Sequence, residues 1–129
     1  MVFVLSSCDP GIIYNRVIEN NSDHDLKVYI YRNNVSKPQE YYYEKDSFLI
    51  NRHENISIAK WNSIGQASEF ENCDTYADSI VVKVVDSKTL RLTLNLNERA
   101  NWTFRRIKKS LQDGGECECR IILNNNHIR

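Results

Sequence analysis

Four leucines at every second position, Leu90, Leu92, Leu94 and Leu96, alternate with Arg91, Thr93, Asn95 and Asn97. A helix advances about 100° per residue and would scatter those leucines round its girth. A strand points successive side chains to opposite faces, so the spacing predicts a half-buried strand with one wet side. The same period of two runs through Leu26, Val28 and Ile30 against Lys27, Tyr29 and Tyr31. It returns near the end, where Cys117, Cys119, Ile121 and Leu123 share one face and Glu118 and Arg120 take the other. A chain patterned this way has to be built from strands.

The remaining segments fit that frame. An apolar-rich run from Ile12 to Glu19 predicts a first strand. The cluster Asn20-Asn21-Ser22-Asp23-His24-Asp25 predicts a tight turn, because short polar side chains bond their own backbone, and the strand after it is expected to be a hairpin partner. A loop is expected over 33–38, then one long or two short strands over 41–50, and a further strand at Ile56 and Ile58. Alternation disappears over 61–77, which predicts a long connection crossing between sheets, with at most one helical turn near 67–71. The β-branched run Ile80-Val81-Val82-Lys83-Val84-Val85 suits a central strand covered on both faces. Trp102, Phe104 and Ile107 mark a basic strand, and Asp113-Gly114-Gly115 signals the hairpin turn before the closing strand. Eight strand candidates without a long helix predict an all-β, two-sheet sandwich of seven to eight strands.

Charge and size narrow the function classes. With 129 residues, 17 basic against 17 acidic, the chain reads as one domain with no net field drawing it to nucleic acid. No apolar run reaches the roughly 18 residues of a spanning helix, so any membrane attachment is expected through the terminus or through a lipid.

The stretch Leu5-Ser6-Ser7-Cys8 resembles the lipobox of bacterial lipoproteins, in which a Leu, two small residues and a Cys end the signal. Residues 1–8 are therefore expected to be a truncated signal remnant and 9–129 a single sandwich domain. The run from Val17 to Ile30 resembles the opening hairpin of small lipoproteins abundant in Bacteroidetes. The run from Asp78 to Leu90 is similar to their central strand and turn, and Asn101-Trp102-Thr103-Phe104 with the glycine hairpin and closing strand to their ending. The resemblance implies an immunoglobulin-like sandwich of the cell envelope, held at the outer membrane by lipid on Cys8, without catalytic residues and without a cofactor.

Other constellations have plainer readings. Cys73, Cys117 and Cys119 could be buried apolar thiols, could include one disulfide from Cys73 to either partner, or could be soft metal ligands. Alternate strand residues lie at or beyond disulfide reach, so Cys117 with Cys119 is not a pairing to expect. No metal site is assigned. His53-Glu54 lacks the second histidine of a zinc-protease motif, since Ser57 stands there. Asp23-His24-Asp25 reads as turn chemistry rather than a cation site, and Arg105, Arg106, Lys108 and Lys109 as a solvated edge strand. Tyr29, Tyr31, Tyr41 and Tyr43 are the candidate ligand-contact aromatics, because rings with polar tips stack on sugars or peptides. The expected function is a lipid-anchored, non-catalytic interaction surface with a glycan or protein partner; the alternative is a carbohydrate-binding module using those tyrosines.

Overall fold

The computed structural model describes residues 11–32, 43–64, 73, 79–110 and 114–129. Among these residues seven strands form: β1 (Gly11–Asn20), β2 (Leu26–Tyr31), β3 (Ser47–Ile50), β4 (Asn55–Ile64), β5 (Ser79–Val84), β6 (Thr103–Ser110) and β7 (Gly114–Leu123). They make a four-stranded sheet in the order β4-β1-β7-β6 and a three-stranded sheet in the order β3-β2-β5. The two sheets pack as an all-β sandwich around a shared apolar core.

Alternation along each strand decides which side chains fill that core. Leu26, Val28 and Ile30 of β2 face Ile18 of β1 and Ile121 and Leu123 of β7 within one buried cluster, with Phe48, Ile50, Ile80 and Val84 alongside. Each such side chain contributes about 1.5–3 kcal/mol relative to exposure. A register shift between Arg16 and Val17 sets Arg16 opposite Ala59 and Val17 opposite Ser57. The extra residue on β4 is Ile58, and the bulge lets Ile58 and Ala59 both be buried although they are neighbours in sequence.

The connectivity interlocks the sheets. β1 pairs with β4 in one sheet and β2 with β5 in the other, as the B–E and C–F pairs do in an immunoglobulin fold. The ending departs from that scheme. β6 and β7 form the expected antiparallel hairpin, and β7 then lies parallel to β1, with Ile12 opposite Gly115 and Asn20 opposite Leu123.

Three expectations about strands need correction. First, β1 and β2 are not a hairpin: the turn between them carries the chain from one sheet to the other. The cause is Asn20, whose buried Nδ2 donates to the carbonyls of His24 (2.8 Å), Ile50 (3.3 Å) and Asn51 (3.2 Å), fixing the turn across the sandwich. Second, β5 is an edge strand among the described residues, not a central one; its residues alternate in burial, with Ile80 and Val84 inside and Val81 and Lys83 outside.

Third, the leucine run is not a regular strand. Leu96 is buried and Leu90, Leu92 and Leu94 pack on the core, so the alternation of burial holds. Its ladder shrinks to one bridge, Leu92 to Ile128, flanked by Arg91 N–H to Arg129 O (2.8 Å) and Thr93 N–H to His127 O (2.7 Å). Beyond Thr93 the asparagines take the backbone locally: Asn95 Oδ1 accepts from Asn97 N–H (2.9 Å), and Asn101 Nδ2 donates to Asn95 O (2.8 Å). Such side-chain bonds compete with a ladder. The expected 61–77 connection also starts late, because β4 continues to Ile64; the helical turn near 67–71 falls outside the described residues.

Candidate functional site

Among the described residues the most distinctive chemistry lies between the sheets, at the middle of β1. Cys119 of β7 forms a disulfide with Cys73, with S–S 2.06 Å and Cα–Cα 5.7 Å. In the ladder Cys119 sits opposite Arg16, which points inward with Tyr14 and Ile18 and is fully buried. The Arg16 guanidinium lies 4.3 Å from the centroid of the Trp102 ring and donates through Nη2 to the carbonyl of Cys73. A planar, weakly hydrated cation over an aromatic face is the form of positive charge an interior tolerates best. Trp102 is itself held by its indole N–H, which donates to Leu96 O at 2.8 Å. The bridge is one of the readings left open for the cysteines. Cys73 and Cys119 are joined to each other, so a three-cysteine metal site does not form, and Cys117 is buried beside them.

Arg16 was not singled out from sequence. Its signal was parity: Tyr14, Arg16, Ile18 and Asn20 share one side of β1, and that side is the interior.

The outer face of the four-stranded sheet carries a network of ion pairs. Glu118, only 2% exposed, receives Arg105 Nη2 at 2.7 Å and Arg120 Nη2 at 3.1 Å, while Arg120 Nη1 donates to Glu19 at 2.6 Å. Burial pushes the Glu118 carboxyl up, but the hydrogen bond and charge of Arg120, then those of Arg105, outweigh it and hold the group below its ordinary value. Arg120 is raised, first by its hydrogen bond to Glu118. Arg105, expected on a solvated edge, is thus tied to its cross-strand neighbour.

The turns at the Asn20 end use the histidines structurally. Asn20 Oδ1 accepts from the Ser22 N–H (3.0 Å) and hydroxyl (2.6 Å), both buried. His53, in the left-handed region at φ 62°, places Nε2 3.2 Å from Asp23, and His24 Nδ1 lies 3.3 Å from Asp86. Hydrogen bonds from Asn125 and then His53 lower Asp23, and the backbone N–H of Arg52 is the main cause lowering Asp25. His127 Nδ1 accepts from Asn124 N–H at 3.0 Å. Among the described residues no cluster of three metal-ligating side chains occurs.

The candidate aromatics separate. Tyr29 and Tyr31 lie on the outer face of the three-stranded sheet, Tyr31 at 56% exposure and Tyr29 half-buried with Lys83 Nζ 5.6 Å from its ring centroid. Leu49 and Val81 are exposed on the same face. Tyr43 is corrected: it is 4% exposed and belongs to the core, with Arg32 Nη2 bonded to its carbonyl at 2.8 Å, so its ring offers no surface. Tyr41 and the lipidation candidate Cys8 lie outside the described residues.

These features define a disulfide-bridged, two-sheet β-sandwich with one face locked by ion pairs and the other open. No known protein family matches the chain, and no curated protein matches it.

Proposed function

We propose that this protein is a lipid-anchored, non-catalytic component of the bacterial cell envelope, held at the outer membrane through Cys8 and presenting its sandwich as an interaction surface. The observation that carries the reading is the Cys73–Cys119 bridge. Disulfides form and persist in oxidising compartments and are rare in the cytosol, and an envelope location is where a lipobox cysteine would deliver the domain. Bacterial lipidation supplies two or more acyl chains, enough for stable anchoring where one chain is marginal. The resemblance to small Bacteroidetes lipoproteins supports the same location.

The test is fractionation of the full chain expressed behind a bacterial lipoprotein signal sequence. The protein is expected with membranes, and Cys8→Ala is expected to move it to the soluble fraction. Equal partitioning of both would overturn the anchor.

A second reading, a carbohydrate-binding module, has one observation in its favour. Tyr29 and Tyr31 stand two residues apart on one sheet face, roughly 7 Å apart along the strand, a spacing at which two rings can stack on neighbouring sugar units. Binding on a glycan array that Tyr31→Ala abolishes would establish it; an array without signal would remove it.

A further inference from the structure

We propose that the free edge of β5 is a docking site for an extended acidic peptide, which adds to the three-stranded sheet as a fourth strand. The inference deepens the interaction-surface reading and rests on it only in supposing that the domain has a partner.

The argument begins with which backbone groups face outward. Among the described residues β5 has one strand neighbour, β2, and its other edge is open. In an antiparallel ladder successive residues turn their N–H and C=O alternately toward and away from the partner. Ile80 turns away, because its N–H donates to Asn97 Oδ1 at 2.7 Å and its C=O accepts from Asn97 Nδ2 at 3.1 Å. The Asn97 amide thus occupies the place that a neighbouring strand would take at this one residue. By the same parity Val82 and Val84 present their N–H and C=O to the open side.

What lies beside them is a groove of about 540 Å³ between β5 and the segment from Ser87 to Leu92. That segment does not close the edge. Arg91 exchanges backbone bonds with Arg129 (2.8 and 2.9 Å), which leaves Leu92, by alternation, turned away from the 127–129 segment. The half-buried side chains of Val82, Leu90 and Leu92 line it, apolar positions for alternate side chains of an added strand.

Charge selects the occupant. Among the described residues Lys83, Lys88 and Arg91 line the groove and no carboxylate does. Among the described residues none of the three is in an ion pair, and nearby Asp86 faces His24. A second copy docking edge to edge would bring these cations against their equivalents, so a peptide carrying carboxylates is favoured over self-association. Main-chain bonds along the edge would supply affinity, and the apolar and cationic positions would supply the preference for alternating apolar and acidic residues.

The probe is a ten-residue peptide alternating valine and glutamate, titrated in solution by calorimetry against the folded, oxidised protein. Saturable binding is expected, weakened at least tenfold by the pair Lys88→Glu and Arg91→Glu. Val82→Pro removes one outward donor at a site where an edge strand tolerates proline and is expected to weaken binding likewise. N-methylating alternate amides of the peptide should abolish binding in one of the two frames and spare it in the other, a readout that leaves the protein unaltered. Absence of binding, equal binding of polyglutamate, or indifference to both methylation frames would overturn the proposal. A concentration-dependent dimer lost on Val82→Pro would overturn it in favour of a second copy. Lipid anchoring is read by fractionation and peptide docking in solution, so either reading can fail alone.

Discussion

The two sheets hold themselves together differently. The four-stranded sheet has a covalent bridge at Cys119, a buried cation at Arg16, and an outer face on which Glu19, Glu118, Arg105 and Arg120 answer one another. The three-stranded sheet rests chiefly on apolar packing, with Leu26, Val28, Ile30, Phe48 and Ile50 inside and Tyr31, Leu49, Val81 and Lys83 on its outside. One sheet has its polar chemistry directed at itself; the other leaves its outer groups available. The difference places the buried ion pairs and the covalent bridge on the first and exposed apolar and cationic side chains on the second.

Four measurements break or sharpen that contrast. The largest effect is expected from removing the bridge. Cys73 and Cys119 are separated by 46 positions, and closing a loop of that length stabilises a fold by about 4 kcal/mol in the chain-entropy account. Reduction, or Cys73→Ala with Cys119→Ala, should lower the denaturant midpoint accordingly; an unchanged midpoint would strip the four-stranded sheet of its covalent advantage. Next, Leu26→Ala opens a cavity at a fully buried site of the other sheet and should cost about 3 kcal/mol. A loss under about 1 kcal/mol would mean that packing is not what holds that sheet.

The third concerns Glu118. Its folded carboxyl lies below the ordinary 4.5, so the unfolded chain binds the proton first as pH falls. The stabilisation is therefore complete above 4.5 and is lost as acid passes down through the folded value. Glu118→Gln should cost about 1–3 kcal/mol near neutrality and flatten part of the acid limb of stability against pH. Asp23 and Asp25, also lowered, leave a residual slope of the same sign. The smallest effect is expected at Tyr31, where truncation to Ala should change stability by no more than about 0.5 kcal/mol. A larger loss would show that the outer face of the three-stranded sheet is structural after all.

Much of this architecture was legible in the alternation. Inner faces of β2 and β7 follow from parity alone, and the glycine hairpin marked the β6–β7 turn. Pairing was less legible, because periodicity states which side of a strand is buried and not which strand lies beside it. Thus the Asn20 turn reads as a hairpin until its amide is seen bonded to carbonyls 30 residues away. The β5 run suggested cover on both faces because β-branched residues suit strands whether central or at an edge. The leucine run misled for another reason: its alternate faces are right, but asparagine side chains displaced the ladder. For the candidate surface, Tyr29 and Tyr31 were placed correctly opposite the apolar face of β2. Tyr43 could not be placed without knowing which way the segment before β3 turns. The edge of β5 that no described strand covers left no mark in the sequence, since it depends on Asn97 and on the 127–129 segment drawing the leucine run elsewhere.

The parallel pairing of β1 with β7 governs how the body would stand if Cys8 carries lipid. Parallel strands begin at the same pole, so Gly11 and Gly115 sit at one end and Asn20 and Leu123 at the other, roughly 30 Å away along ten residues. Only two residues separate Cys8 from Gly11, a leash of about 10 Å. The domain would then ride close above the lipid, upright on its first strand, with the His24, His53 and His127 turns as its crown, looking outward.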